Sequence, residues 1–417
     1  MRHNAFSMPK LRDTSALALG SATSGLLAYV FFAIVTRALG SEGAAPVSVL
    51  WAYWSFAGAA LTFPIQHWIA RSVVAHEGEG SVRAAMPGVL RLSLLAAVVT
   101  FVASWLGRDL LFGSGDAWFP LLVGAVTLAS AAMGVVRGVL TARRRFGAVG
   151  LGLVCENLLR SAAALVLMAA GVRSPLAYGL CLLLGYASVA VFPSTFRLSR
   201  QGTAGAGDSP WAFLAGAGGG QVIGQVVLTG GPVVLALAGG SPAQVTSLFA
   251  GLALFRAPYT LALGLVSQLT GWFSRLVVRR DASSLRRVRH RVVALTVGGA
   301  LGAAVVGALL GPVLLPLIFG ADVTLPTGST VVLAVASTVA MANLVVTLML
   351  LALGRTGVLI RAWLVALVPG VAWFALAQPV AGVPVLERTC AAFLVVECAA
   401  FVLLVREEVR GTAALPG

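Results

Sequence analysis

The chain has 417 residues, of which 59% are hydrophobic and only 10% are charged. A water-soluble fold cannot bury that much apolar surface, so the composition excludes an ordinary soluble domain and indicates a membrane protein. The net charge of +15 does not indicate a nucleic-acid partner, because the 29 basic residues concentrate in alternate connections between apolar runs.

Twelve apolar runs follow one another along the chain, each long enough to cross the hydrocarbon core as a helix. They are too long and too uniformly apolar for the alternating strands of a barrel. We therefore predict an all-α polytopic membrane protein with both termini on the cytoplasmic side, where the arginine-rich connections belong. The runs are 14–36, 44–70, 87–106, 117–140, 148–171, 175–196, 211–238, 242–273, 292–318, 326–353, 357–377 and 385–405.

The connections between these runs are short. The longest hydrophilic stretches, 71–86, 197–210 and 274–291, cannot hold a nucleotide-binding domain, and the sequence has no glycine-rich phosphate loop. We expect no cofactor and no ATP hydrolysis by this chain. The first run exceeds the apolar core of a cleavable signal, which predicts an uncleaved first helix. Four cysteines lie inside predicted spans and indicate no disulfide framework: Cys155, Cys181, Cys390 and Cys398.

Short motifs recur at an offset of roughly 200 residues. Leu39-Gly-Ser-Glu precedes the second run as Gly239-Gly-Ser-Pro precedes the eighth, and Leu111-Phe-Gly-Ser-Gly-Asp closes the third run as Leu317-Ile-Phe-Gly-Ala-Asp closes the ninth. The offset predicts two six-helix lobes, 1–200 and 201–417, related by a parallel repeat. Repeats of this kind suit alternating access to a central site.

The charges inside the predicted spans need a reason, because each costs at least about 2.5–3.5 kcal/mol at the bilayer centre. Arg91 lies near a span end and is predicted to reach the headgroups. Glu156 and Arg160 lie four residues apart on the fifth run, at a depth similar to that of Arg137 on the fourth. Two interpretations stay open: an ion-pair cluster that clamps two helices, or arginines that bind a substrate phosphate beside an acid, Glu156, that couples transport to an ion.

The seventh run combines amides with residues that bend helices. Gln221 and Gln225 share one helical face and predict a polar cavity lining, while the alternative is close helix packing through small residues. The predicted hinge residues are Gly219, Gly220, Gly224, Pro232 and, on the eighth run, Pro258.

Arg256 gives the strongest indication of a binding site among these membrane charges, because it lies near the middle of the eighth run with no acid on the same helix. It should face water, an acid of another helix or an anionic ligand, and we predict that it lines a substrate cavity. Glu397, deep in the last run, is predicted to pair with Arg256 or to titrate as an ion-coupling group. Nothing resembles a catalytic centre or a metal site, because the histidines are scattered at His3, His67, His76 and His290.

Three motifs resemble those of a known family. Thr36-Arg-Ala-Leu-Gly-Ser-Glu-Gly is similar to the Arg-x-Leu-Gly-x-x-x-Tyr-Gly turn of bacterial polysaccharide-unit flippases, although Ala45-Pro46 stand where the family has its aromatic residue. The segment beginning at Arg137-Gly-Val-Leu-Thr, followed by Glu156-Asn-Leu-Leu-Arg160, resembles their fourth-to-fifth helix connection, and the repeated Phe-Gly endings fit as well. These flippases belong to the multidrug/oligosaccharidyl-lipid/polysaccharide exporter (MOP) superfamily, and the resemblance extends over about residues 14–405.

The resemblance implies two lobes around a cationic cavity. It also implies a polyprenyl-diphosphate-linked oligosaccharide moved from the inner to the outer leaflet of a bacterial plasma membrane for cell-surface polysaccharide assembly. The implied partners are that lipid-linked glycan, membrane lipids, and glycosyltransferases or a polymerase of the same pathway. The positive lining would come from Arg256 together with Arg137 and Arg160.

Four other functions compete with the flippase. A multidrug/cation antiporter of the same superfamily would want a more acidic cavity. A major-facilitator transporter would carry a Gly-x-x-x-Asp-Arg motif where this chain has Arg71-Ser-Val-Val-Ala. A membrane glycosyltransferase would need a large external loop, and a non-transporting scaffold would have a dry interior with paired arginines.

Overall fold

A computed structural model describes residues 11–113, 115, 117–200, 219–263 and 266–414. Helices and the turns between them make up this part of the chain, and it contains no strand. The predicted all-α membrane fold is therefore confirmed. Nine helices are long and apolar enough to span a bilayer, counted over the described residues.

The helical stretches follow the predicted order, and we number them α1 to α12. Those of the first half are α1 (Leu11–Gly43), α2 (Ala45–Ala57, a π turn at Gly58–Thr62, and Phe63–Ala75), α3 (Gly80–Leu106), α4 (Trp118–Ala142), α5 (Phe146–Ala169) and α6 (Pro175–Leu184, continued by 3-10 turns at Gly185–Val191 and Pro193–Phe196). Those of the second half are α7 (Gly219–Thr229 and Gly231–Leu237), α8 (Pro242–Phe255, Ala257–Leu263 and Val266–Val278), α9 (Ala282–Phe319), α10 (Thr327–Ala352), α11 (Thr356–Ala381) and α12 (Val385–Ala413).

Three of the twelve predicted spans are interrupted, which is why fewer uninterrupted helices reach the length of a bilayer. The α7 helix breaks at Gly230, two residues before Pro232, and α8 breaks at Arg256, two residues before Pro258. A proline has no N–H to donate to the carbonyl four residues earlier, so it favours a break just before itself. The α6 helix tightens into a 3-10 turn from Gly185 for a packing reason described below.

The helices of each half pack mainly among themselves, and glycines with positive φ recur in the repeated motifs of both halves. Gly40 and Gly239 both have positive φ, of 71° and 83°, in the turns that precede α2 and α8. Gly113 and Gly320, which follow the repeated Phe-Gly endings, also have positive φ. Glycine adopts positive φ without strain, so it occupies these turns in both lobes, although the conformations differ in detail: ψ is 22° at Gly113 and 149° at Gly320. The lobe boundary predicted at residue 200 adjoins 201–218, which lie outside the described residues.

The lobes meet at the end opposite the arginine-rich connections, which we call the closed end. An aromatic cluster joins them there: the ring of Phe32 on α1 lies 4.5 Å from that of Phe249 on α8 and 5.5 Å from that of Phe319 on α9, centroid to centroid. Trp51 on α2 lies 5.9 Å from Phe249. The opposite end, where Phe63–Ala75 and Val266–Val278 each pack within their own lobe, we call the basic end.

A polar latch adds to this aromatic cluster at the closed end. The Ser41 N–H donates to Oδ2 of Asp322, and the Arg37 guanidinium donates to the Leu317 carbonyl at 2.6 Å. A Cβ on Gly40 would lie 3.1 Å from the same carboxylate oxygen, so glycine permits the approach. The repeated motifs of the sequence thus become the contact between the lobes: the turn after α1 meets the end of α9.

We predict that Asp322→Asn weakens the closed end. The variant exchanges a charge-assisted hydrogen bond to Ser41 for a neutral one, at a cost of about 1 kcal/mol, which corresponds to a roughly fivefold shift toward separated lobes. Spin labels at Leu110 and Thr324, both on the surface at this end, measure the separation by pulsed electron resonance. The control is Glu42→Gln, which removes an exposed acid from the same end. Identical distance distributions in both variants would contradict the latch.

The same latch sets a pH dependence. Partial burial raises the pKa of Asp322, but the hydrogen bonds from Ser41 outweigh it and hold this pKa below the ordinary value for aspartate. A lowered pKa means that the contribution is present above about pH 3.9 and is lost as the pH falls further. The label distance should therefore stay constant from pH 8 to pH 5 and increase only in stronger acid. Opening between pH 8 and pH 5 would assign the closure to another group.

Candidate functional site

The candidate site lies where α8 breaks, beside the first helix of the other lobe. Arg256 ends the segment Pro242–Phe255, and its guanidinium carbon lies 5.4 Å from the centroid of the Phe393 ring on α12. Its Nε and Nη2 atoms are buried and have no hydrogen-bond partner among the residues that the structure describes. Its electrostatic neighbours are Glu397, Tyr259 and Tyr29. Tyr29 belongs to α1 and donates to the Ala253 carbonyl at 2.6 Å, so the site touches both lobes.

The acid of the site is Glu397, one helical turn after Phe393. It is 1% exposed and accepts a hydrogen bond of 2.7 Å from the Asn343 amide on α10. Asn343 also donates to the Glu397 carbonyl at 3.0 Å, which fixes α10 against α12. Glu397 and Arg256 are therefore close enough to interact electrostatically, but the structure places no salt bridge between them over its described ranges. Of the roles predicted for Glu397, direct pairing with Arg256 is the one that this geometry does not show.

The arrangement leaves two N–H donors of Arg256 without acceptors among the described residues. A buried N–H without a partner costs about 1–3 kcal/mol, and two such groups on one guanidinium favour a ligand that accepts hydrogen bonds. A guanidinium offers donors in a planar fork that matches carboxylate and phosphate oxygens. Chemically, the site can hold an anionic or hydrogen-bond-accepting group at Arg256 and a cation at Glu397.

The charges of the first lobe form a separate, closed cluster. Glu156 accepts from Arg137 through Oε2 and from Arg160 through Oε1, both at 2.5 Å. The Arg160 guanidinium carbon lies 4.4 Å above the Trp54 ring, and Arg160 has no exposed surface. A Cβ on Gly185 would lie 2.8 Å from Arg160 Nε, so the start of the 3-10 turn in α6 sits directly against this arginine.

This geometry matches the first of the two interpretations left open above, an ion-pair cluster that clamps α4 to α5. The roles predicted for Arg137 and Arg160 in substrate binding and for Glu156 in ion coupling stay predictions. The two arginines outnumber the one acid, and buried N–H groups without partners remain on both.

The remaining predicted residues are spread along α7 and α8. Gln225 is half-buried on Gly219–Thr229, and the side chain of Gln221 lies outside the described part. Gly224 packs against Trp363, whose ring atoms would lie 3.0 Å from an added Cβ, so it serves close packing rather than a bend. Gly219 and Gly220 begin the described helix. Pro232 and Pro258 adjoin the breaks noted above, and their predicted hinge motion stays a prediction.

Sequence reasoning missed Asn343, Tyr29, Phe393 and Tyr259. Asn343 could have been found, because a lone amide in the middle of an apolar run is itself unusual in a membrane helix. The aromatic residues gave no such signal, since tyrosine and phenylalanine are ordinary in apolar helices.

No protein-family model matches the sequence, and no curated protein is significantly similar to it. Solved structures do match over nearly the whole chain. One described as the inward-facing conformation of a multidrug resistance MATE family transporter of the MOP superfamily has a TM-score of 0.67 at 16% identity, covering 99% of this chain and 97% of the other. An outward-facing one has a TM-score of 0.61 at 15% identity, covering 97% and 96%.

A third match is a MOP superfamily transporter from Pyrococcus furiosus, described as having a binding pocket of reverse polarity that suggests a different function. Its TM-score is 0.61 at 15% identity, and the match covers 97% of this chain and 96% of the other. At these identities the likeness shows the fold, which is that of the MATE transporters of the MOP superfamily: twelve helices in two lobes.

We predict that Glu156→Gln destabilises the first lobe strongly. It leaves two buried arginines without a counter-charge, which costs about 3–5 kcal/mol. The loss should appear as a lower thermal unfolding midpoint of the purified protein in detergent. The control is Arg410→Gln, which breaks a pair whose arginine is 54% exposed and should cost less than about 1 kcal/mol. A Glu156→Gln protein of normal stability that no longer transports would instead favour the predicted role in ion coupling.

Proposed function

We propose that the chain is an ion-coupled exporter that works by alternating access and moves small amphipathic molecules, the multidrug antiporter considered above as an alternative. The observation that supports it most is the MATE fold over nearly the whole chain, with Glu397 buried beside Arg256 at the meeting of the two lobes. The comparisons favour this function over the predicted flipping of a lipid-linked oligosaccharide.

In this proposal the basic end faces the cytoplasm of a bacterial cell, because arginine-rich connections are retained there. The closed end then faces outward, and the structure is an inward-facing state. The higher TM-score with the inward-facing transporter, 0.67 against 0.61 with the outward-facing one, supports the same assignment.

In this proposal, transport requires the closed end to open while the basic end closes. In the inward-facing state, a substrate enters from the basic end and places its anionic or accepting group against the unpartnered N–H groups of Arg256. Separation of the aromatic cluster and of the Asp322 latch then opens the other end. A cation that binds Glu397 from outside returns the carrier, because it changes the charge beside Arg256 once the substrate has left. Glu397 is suited to this role because Asn343, its side-chain hydrogen-bond partner in the described part of the chain, is neutral.

A second function is favoured by Arg256 itself. An unpaired guanidinium suits the diphosphate of a polyprenyl-linked oligosaccharide, and an inside-negative potential favours outward movement of that dianion by roughly 2.3 kcal/mol per charge per 100 mV. The reverse-polarity pocket described for the Pyrococcus furiosus protein supports the view that this fold carries substrates of more than one charge.

Transport assays in proteoliposomes test the two functions against each other. Under an imposed proton or sodium gradient, we expect export of fluorescent amphipathic anions, with no movement of a fluorescent lipid-linked glycan. Arg256→Gln should weaken anion binding about tenfold to a hundredfold, from a charge-assisted hydrogen bond of about 1.5–3 kcal/mol. Glu397→Gln should remove the dependence on the gradient and leave substrate binding in place.

The matched control is Arg91→Gln, since Arg91 is an intramembrane arginine exposed on α3. It should transport like the unmodified protein. Flipping of the lipid-linked glycan that is lost in Arg256→Gln would replace the exporter by the second function. Transport of either substrate that survives Arg256→Gln unchanged would remove the assigned site.

A further inference from the structure

A groove of about 450 Å³ opens at the basic end, remote from the Arg256 site. Its wall combines two arginines with three apolar side chains, and we call it the basic groove: Arg83, Met86, Phe196, Arg197 and Leu198. One side belongs to the first two turns of α3 and the other to the last 3-10 turn of α6 and the residues after it.

The far wall of the groove is held in place by an ion pair. Arg143 forms a two-pronged contact with Glu79, with distances of 2.7 and 3.0 Å. The same guanidinium donates to the carbonyls of Ser194 and Arg197 at 3.0 and 3.1 Å. Glu79 also accepts from the Ser199 backbone N–H at 2.8 Å. Five hydrogen bonds therefore tie the end of α6 and the residues after it, through Arg143 and Glu79, to the start of α3.

In this network Glu79, the acid beside the groove, is already paired with Arg143. The hydrogen bond from Arg143 lowers the pKa of Glu79, so the carboxylate stays ionised and remains bound to Arg143. Arg83 and Arg197 are exposed, and neither side chain has a partner among the residues that the structure describes. Two free guanidiniums thus converge on a preformed cavity, and their charge complements an anion.

The depth of the groove and its apolar lining indicate which anion. α3 begins at Gly80 and the turns of α6 end at Phe196, both at the basic end, where helix ends reach the level of the lipid headgroups. Phe196 is 55% exposed, which is costly in water but natural against an acyl chain. A free phosphate would satisfy the arginines and leave this apolar side of the groove uncovered.

We propose that the basic groove binds the headgroup of an anionic phospholipid. Arg83 and Arg197 contact the phosphate, and Met86, Phe196 and Leu198 contact the first part of an acyl chain. Bound there, the lipid bridges α3 and the end of α6, and so braces the point at which the chain leaves the first lobe. Basic pockets between membrane helices at the arginine-rich side bind such headgroups in the same way.

Native mass spectrometry of the purified full-length protein tests this site. The probe is palmitoyl-oleoyl phosphatidylglycerol, titrated against phosphatidylcholine of the same chains. The double variant Arg83→Gln/Arg197→Gln should bind phosphatidylglycerol about thirtyfold more weakly, from about 1 kcal/mol for each basic residue. Phosphatidylcholine should bind weakly to both proteins, and added glycerol phosphate should not displace the lipid.

The matched control is Arg279→Gln/Arg286→Gln, which removes two exposed arginines from the same end of the other lobe and makes the same change in net charge. This control variant should bind phosphatidylglycerol as tightly as the unmodified protein. Equal weakening in both double variants would mean diffuse attraction to a positive surface and would overturn the proposal, as would displacement by glycerol phosphate. Arg83→Lys/Arg197→Lys keeps the charges and should recover most of the binding, which separates lost charge from a folding defect.

Discussion

The need to compensate each charge that lies inside the membrane constrains this structure more than any other interaction. A lone charge in hydrocarbon is costly, so each one must be paired, hydrated or bound to a ligand. The first lobe meets most of the requirement internally, because Glu156 accepts from two arginines at once, although buried N–H groups of both arginines keep no partner among the described residues. The second lobe does not, since Arg256 and Glu397 lie near each other without pairing. The second lobe is therefore where a ligand can change the energy of the protein.

The difference between the lobes is informative because their folds repeat. Glycines with positive φ lie in equivalent turns of both lobes, yet the charges inside the spans differ, with Arg137, Glu156 and Arg160 in one lobe and Arg256 and Glu397 in the other. The repeat supplies the framework and the closed end, where the turn after α1 reaches the end of α9. The charged residues that differ between the two lobes form the candidate site. One lobe thus holds a hydrogen-bonded ion-pair cluster, and the other holds an arginine and an acid that lie near each other without a salt bridge in the part of the chain that the structure describes.

The number, order and class of the helices could be predicted from the sequence, because hydrocarbon thickness dictates the length of an apolar run. The breaks in α7 and α8 were partly predictable from Pro232 and Pro258. The tightening of α6 was not, since it depends on Arg160 packing against Gly185, a contact between different helices. For the same reason, helical depth alone suggested an Arg256–Glu397 pair and could not show that Asn343 holds the acid instead.

An aromatic cluster and a polar latch differ in a way that suits a carrier. Packing between Phe32, Phe249 and Phe319 is strong but indifferent to charge, so by itself it would hold the closed end permanently. The latch between Asp322 and Ser41 lies at the surface and contributes only a modest share, so the closed end can open when binding energy is supplied elsewhere. In the proposed cycle, substrate at Arg256 supplies it, because satisfying two buried N–H groups at about 1–3 kcal/mol each contributes more than the latch at about 1 kcal/mol. Binding at the unsatisfied arginine can therefore outweigh the latch, as the proposed alternating access between two states of similar free energy requires.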